Sequence, residues 1–290
     1  MDGGAASLDL LRAALSATVL PVEIEHVDET GSTNTDLLAA VRVTAGQPIG
    51  ARLLVAERQT AGRGRLGRQW QATPGASLTF SLAWPLARED LCGLSLAVGA
   101  ALAEAIIDTP GVGRDTPRLG LKWPNDLWLV EAGGEGRKLG GVLIETVAAG
   151  ESRFAVVGVG LNVCEQAVAA ASSGVAWVRE LDAAATPGSL LQRVAPALVA
   201  ALCEFDASGF AVFATRFDQH DLLRDRLVRC DAGAGHEAIE GTALGVSARG
   251  ELRVRTSVGI ELVHSGEVSV RLATAARARA EEPAAARSPC

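Results

Sequence analysis

The densest chemistry in this chain lies in Gly62-Arg63-Gly64-Arg65-Leu66-Gly67-Arg68, where arginines alternate with glycines. Arginine presents a planar cation with several donors, suited to carboxylate and phosphate. Glycine leaves the backbone free to approach a ligand. Arg63 and Arg65 stand two apart, so in an extended loop both would project to the same side. A solvated basic turn is the plainer reading, but the chain as a whole carries a net charge of −7. Positive charge concentrated against that background points to an anion site. Context excludes two motifs of similar spacing. Gly62-x-Gly64-x-x-Gly67 has the spacing of a dinucleotide fingerprint and follows an apolar strand. It leads, however, through Gln69-Trp70-Gln71-Ala72-Thr73-Pro74-Gly75 into another strand, with no helix to receive a pyrophosphate. Gly62-x4-Gly67 has P-loop spacing, yet Arg68-Gln69 stands where Lys-Ser/Thr is required.

Four further segments carry polar groups in apolar settings. Lys122-Trp123-Pro124-Asn125-Asp126 lies between apolar runs that would bury it, and a buried Lys or Asp needs a partner. A structural ion pair and a ligand-binding role compete on even terms there. Lys138 precedes Gly140-Gly141 and an apolar strand, which permits close approach of a ligand to the backbone, although Lys-x-Gly-Gly is common in turns. Gly158-Val159-Gly160-Leu161-Asn162 reads as a buried strand of small residues with one amide. Gly31-Ser32-Thr33-Asn34 is most simply a helix cap, and the same groups can face a polar ligand. Of Trp70, Trp84, Trp123, Trp128 and Trp177, the majority belong to the core, with Trp70 beside the arginine loop as the exception.

The elements that must position these residues follow from periodicity. Residues 8–18 read as a short helix and 22–27 as an alternating strand. Ser32 or Thr33 caps a helix to about Thr44, with Asp36 in its acidic first turn. Residues 52–57 form an apolar strand, 58–70 the glycine- and arginine-rich loop, and 77–84 the next strand. A helix over 91–107 is apolar nearly all round and therefore buried. A polar loop is expected at 131–137, strands at 141–147 and 154–163, and helices at 189–206 and 209–217. From about residue 220, short strands separated by glycine-containing turns suggest a small antiparallel barrel. Residues 273–290 have low complexity and read as a disordered tail.

Composition narrows the function. Hydrophobic residues make up 48% and charged residues 21%, ordinary for a globular chain long enough for one large and one small domain. The acidic balance argues against sequence-independent nucleic-acid binding. The five cysteines are widely spaced with no C-x-x-C pair, and the four histidines are scattered, so neither a disulfide framework nor a histidine-held metal is expected. No bilayer-spanning apolar stretch and no basic leader stand out. A cytoplasmic protein with no membrane partner is the expectation.

Five blocks in order, ETGSTN (29–34), QTAGRGRLGRQW (59–70), LKWPNDL (121–127), RKLGGVLIE (137–145) and GVGLNV (158–163), resemble the biotin–protein ligase family. The resemblance spans about residues 22–272. It implies an α+β fold of the class II aminoacyl-tRNA synthetase and biotin ligase type, a mixed β-sheet flanked by helices, with a small C-terminal SH3-like barrel. The corresponding division is an extension with a short helix (1–20), a catalytic domain (21–218), the barrel (219–272) and the tail (273–290). The implied reaction forms biotinyl-5′-AMP from biotin and ATP with magnesium, then transfers biotin to a lysine on the carrier domain of a biotin-dependent carboxylase.

By that resemblance Ser32, Thr33, Asn34, Gln59 and Gly141 would line the biotin pocket. Arg63, Gly64 and Arg65 would close over biotin and the adenylate, and Lys138 would meet the carboxylate. Lys122, Asn125 and Asp126 would serve the ATP phosphates, with Asp126 as the magnesium ligand and Arg68, Trp70 and Asn162 on the nucleotide side. Arg65, Lys122 and Lys138 would be the catalytic cations. The family includes biotin-responsive repressors with an N-terminal winged helix-turn-helix. Here about twenty residues precede the first strand, so no DNA partner is expected; the resemblance allows a homodimer. Competing readings are a lipoate- or octanoate-transferring enzyme of the same fold, a DNA-binding regulator, and a non-catalytic biotin-binding protein. Lys122, Asn125 and Asp126 speak against the last.

Overall fold

Alternation along one strand explains the layering. In β3 (Ser77–Leu86), Leu78, Phe80, Leu82 and Trp84 point into one hydrophobic core, while Ser77, Thr79, Ser81 and Ala83 point to the opposite face. The strand is buried on both sides, so the sheet it belongs to is covered on both. The computed structural model describes residues 3–16, 20–43, 50–107, 118–131, 136–150, 152–166, 174–231, 237–266 and 268–272. The proposed tail at 273–290 lies outside them.

Seven strands form the main sheet: β1 (Val22–Thr30), β2 (Ala51–Gln59), β3, β4 (Arg118–Lys122), β5 (Asp126–Val130), β6 (Gly136–Ala149) and β7 (Ser152–Asn162). Their order is β1-β2-β3-β7-β6-β5-β4. β1 and β2 run parallel and every other pair is antiparallel, so the sheet is mixed, as expected. Helix α2 (Thr33–Val43) covers one face through Leu37, Leu38 and Val41, packed with Leu54, Ala83, Phe154 and Val156. Helices α3 (Leu94–Ile107) and α4 (Pro187–Ser208) cover the other, and α1 (Gly3–Leu15) packs on α4. Among the described residues α4 is the one helix long and apolar enough to cross a membrane, and its apolar face is spent on α3 and β3. A short α5 (Ala214–His220) follows.

Several boundaries differ from the sequence reading for physical reasons. The helix expected at 91–107 begins only at Leu94. Gly93 has φ +79°, and a Cβ there would lie 2.4 Å from the Phe210 ring, so a glycine turn must precede the helix. The loop expected at 131–137 ends early, because β6 starts at Gly136 and carries Arg137 and Lys138 on strand. Arg137 is held there by Glu131 and Glu180, both at 2.6 Å. The helix expected at 8–18 runs instead over Gly3–Leu15.

A second sheet comprises β8 (Leu227–Asp231), β9 (Ile239–Val246), β10 (Leu252–Arg255), β11 (Ile260–Val263) and β12 (Ser269–Leu272), in the order β11-β10-β9-β8-β12. All its pairings are antiparallel, but the end strands β11 and β12 do not pair among the described residues, so the sheet is not a closed barrel there. Its inward residues Val228, Cys230, Ala243, Leu252 and Val254 join the same core as α3 and α4. The second sheet is tied to the first through the segment that precedes it and through one side chain. Leu222 N donates to Leu121 O at 3.0 Å, and Trp123, buried and apolar-packed, donates its Nε1 to Gly250 O at 3.0 Å.

Candidate functional site

On the α2 face of the main sheet lies a cavity of about 170 Å³, far more than the roughly 10–15 Å³ that one water needs. Its wall is built from short side chains on regular elements. Thr33 and Asn34 open α2, Gln59 closes β2, Ser81 lies on β3, and Gly158 and Gly160 keep β7 bare. These groups satisfy one another. Thr33 N and Oγ1 both donate to Gln59 Oε1, at 2.8 and 3.1 Å, and Thr33 Oγ1 lies 2.7 Å from Ser81 Oγ. Ser81 Oγ donates to Asn34 Oδ1 at 2.6 Å. The Ser32-Thr33-Asn34 segment is thus more than a cap: its second and third side chains turn to the cavity. A Cβ at Gly158 would come within 2.3 Å of Asn34 Oδ1, so only glycine admits that arrangement.

The other end of the cavity is cationic. Arg65, Arg68, Lys122 and Lys138 line it together with Asn125 and Asp126 from the turn between β4 and β5. Lys138 Nζ donates to Asp126 Oδ1 at 2.7 Å, and Gly141 leaves that pair room, since a Cβ there would sit 3.1 Å from the same oxygen. Asp126 thus has its ion-pair partner in Lys138, outside the Lys122–Asp126 segment. Lys122 lies over the Trp128 ring, 4.4 Å from its centroid. Burial lowers the pKa of Lys122 from its usual value; Asp126 counteracts this, while Lys138, Arg68 and Arg271 reinforce it. Burial likewise lowers Arg65, with Asp126 opposing.

The glycine–arginine segment forms the roof. Arg63 and Arg65 do not serve one partner, as a simple extended loop would suggest. Arg63 donates to Glu145 at 2.5 Å, whereas Arg65 donates to Asn125 Oδ1 at 3.3 Å, to the Ser265 carbonyl, and to Gly266 O at 2.5 Å. Leu66 at φ 56° and Gly67 at φ 70° turn the chain just beyond Arg65, before Arg68. Trp70 lines the cavity against Gly160, where a Cβ would lie 2.4 Å from the indole.

Every residue foreseen at the site lines this cavity except Asn162. That side chain lies beyond the wall, donating to Lys138 O and accepting from Gln166, both at 3.4 Å. Missed were Thr79 and Ser81, which the alternation of SLTFSLAW places on one face, and Leu143, two residues beyond Gly141. Missed too were Val268, Ser269 and Val270 at β12, which close the cavity from the second sheet. Nothing local marks them as site residues. Trp123 is both core and cavity wall.

A mixed sheet carrying a neutral, hydrogen-bonding pocket that ends in clustered cations defines a site for an organic acid and a second anion. The comparisons agree. Residues 28–162 match the Biotin/lipoate A/B protein ligase family and residues 229–271 the Biotin protein ligase C terminal domain. The chain is 32% identical over 263 residues to the Bifunctional ligase/repressor BirA of Escherichia coli, covering 89% of this chain and 75% of that protein. It is 40% identical over 146 residues to the Biotin--[acetyl-CoA-carboxylase] ligase of Mycobacterium tuberculosis, covering 49% of this chain and 50% of the relative. It spans between half and three quarters of the length of these relatives. The biotin protein ligase from Aquifex aeolicus in complex with biotin and ATP superposes with a TM-score of 0.70 at 27% identity, over 87% of this chain and 99% of that one. This chain belongs to the biotin protein ligase family.

Proposed function

We propose that this chain activates biotin with ATP and transfers it to a lysine on the carrier domain of a biotin-dependent carboxylase. The observation that carries the reading is the two-ended cavity, with neutral interlocked donors and acceptors at one end and Arg65, Lys122 and Lys138 at the other. Thr33, Asn34, Gln59 and Ser81 suit an uncharged ureido ring; Ser32 and Gly141 complete that pocket. Lys138 receives the carboxylate, exchanging its contact with Asp126 for the ligand. Lys122, Arg65 and Arg68 receive phosphate oxygens, with Trp70 and Asn125 on the nucleotide side. Two anions must meet, so preorganised cations both offset their repulsion and stabilise the charge that develops. The carboxylate oxygen attacks the α-phosphorus, forming the mixed anhydride and expelling pyrophosphate. The acceptor amine then attacks the carbonyl carbon, and AMP leaves. A carboxylate ionised at neutral pH needs no general base for the first step.

Magnesium suits this site only as a shared ion. The described residues form no group of three ligating side chains, and Asp126 supplies one carboxylate. Asp126 with phosphate oxygens would hold the ion, which would screen phosphate charge. We also read the second sheet as the SH3-like barrel of a two-domain division at about residue 219, and the location as cytoplasmic. The match at 229–271 supports biotin over lipoate. The test is ATP–pyrophosphate exchange with purified protein, given biotin, lipoate or neither. Exchange with biotin alone is expected; exchange favouring lipoate, or none, would refute the reading.

A further inference from the structure

The roof loop is a closed unit. Arg63 and Gln69 form an antiparallel bridge, Gly64 N donates to Arg68 O at 2.7 Å, and Trp70 N donates to Gly62 O at 2.9 Å. Gly62 is pressed so close to Trp70 that a Cβ would lie 2.4 Å from its carbonyl oxygen. A unit of fixed internal shape is positioned by the side chains that tether it. On one flank Arg65 reaches Asn125 and the second sheet. On the other, Arg63 reaches Glu145, three residues beyond Val142, whose N–H donates to Asn125 O. The two tethers are thus about 10 Å apart along β6.

Glu145 does not line the cavity; it follows Gly141 and Leu143 on one face of β6. Its Oε2 accepts from Arg63 at 2.5 Å and from Asn34 Nδ2 at 3.0 Å. Asn34 accepts from Ser81, Ser81 contacts Thr33, and Thr33 donates to Gln59. One hydrogen-bonded line therefore runs from Gln59, in the neutral end of the cavity, to the roof, and its charged link is Glu145. Hydrogen bonds in such a chain polarise one another, and those with an ionised member are the strongest.

We infer that Glu145 is a positioning residue for the ligase reaction: through Arg63 it latches the roof loop to the neutral end of the cavity and so keeps the adenylate enclosed. The inference rests on the function proposed above. Glu145→Gln keeps an oxygen for Asn34 and removes the charge that holds Arg63. It should shorten the retention of biotinyl-adenylate, after free substrates are removed, by about tenfold, the worth of one charge-assisted bond. KM for biotin should rise similarly, while exchange at saturating biotin stays within about twofold. Unchanged retention, or a loss confined to the saturated rate, would overturn the latch. Arg63→Met combined with Glu145→Gln should cost no more than the larger single effect, whereas additive losses would overturn it. If Glu145→Gln does not fold, Arg63→Glu with Glu145→Arg replaces it. Retention above that of Arg63→Glu alone supports the latch, and retention equal to it overturns the latch. A wild-type protein without biotin-dependent exchange would instead remove the functional reading, and the latch with it.

Discussion

The two ends of the cavity are built on opposite plans. At the neutral end, Thr33, Asn34 and Ser81 are buried, sit on helix and strand, and bond to one another and to Gln59. At the charged end, cations from the end of one strand, a loop and the start of another strand hold provisional partners. Lys138 holds Asp126, Lys122 a tryptophan face, and Arg65 two backbone carbonyls. The first arrangement fixes shape. The second keeps charge in place until an anion displaces the stand-ins, and the lowered pKa values of Lys122 and Arg65 mark how far burial disfavours their charge meanwhile. Damage at the neutral end should therefore register in stability, and damage at the charged end in rate.

The sharpest test is Lys138→Ala, which should lower adenylate formation about 10²–10³-fold with little change in thermal midpoint. A midpoint shift as large as that of a core deletion would break the contrast. Next, Arg65→Gly should release biotinyl-adenylate to solvent about tenfold to a hundredfold faster, by the loss of its hydrogen bonds. Unchanged retention in a filter assay would count against a closing role for this arginine. Thr33→Val should reverse the pattern, costing about 1–3 kcal/mol in urea unfolding, because Ser81 and Gln59 each lose a partner. A stability equal to wild type would show that the neutral end is looser than its bonds suggest.

The smallest effect concerns Asp221, at the junction of the two sheets, which follows neither plan: its Oδ2 is buried without a hydrogen bond. Burial raises its pKa above 3.8; the Leu223 N–H and Arg224 oppose this, and Asp218 adds to it. A folded pKa above the unfolded one means that the carboxylate form costs stability at neutral pH. That cost disappears as pH falls below the unfolded value. Asp221→Asn should therefore stabilise by about 1 kcal/mol at pH 7 and by little near pH 3.5. Equal gains at both pH values in chemical denaturation would argue against a titrating origin.

Much of this was legible in the chain itself. The individual strands and α2 follow from periodicity and the arginine roof from composition, because each is local; the mixed sheet followed only from the resemblance carried by the five blocks. Ser77-x-Thr79-x-Ser81 is equally readable as a polar face of that strand, because alternate residues share a face. Asn162, which the resemblance placed on the nucleotide side, shares the parity of Gly158 and Gly160 yet falls one step beyond the cavity's edge. The contribution of Ser265, Gly266, Val268, Ser269 and Val270 had no legible signal. It consists largely of backbone carbonyls and small side chains brought some two hundred residues back along the chain to Arg65 by sheet docking.

That last contact has a consequence for the timing of synthesis. Every main-sheet residue that lines the cavity has been synthesised once Gly160 has been made, but residues 268–270 come about a hundred residues later. At about 5–20 residues per second, roughly 5–20 s separate the last main-sheet lining residue from the final wall. During that interval Arg65 has neither of its carbonyl acceptors, and whatever the growing chain captures is free to leave.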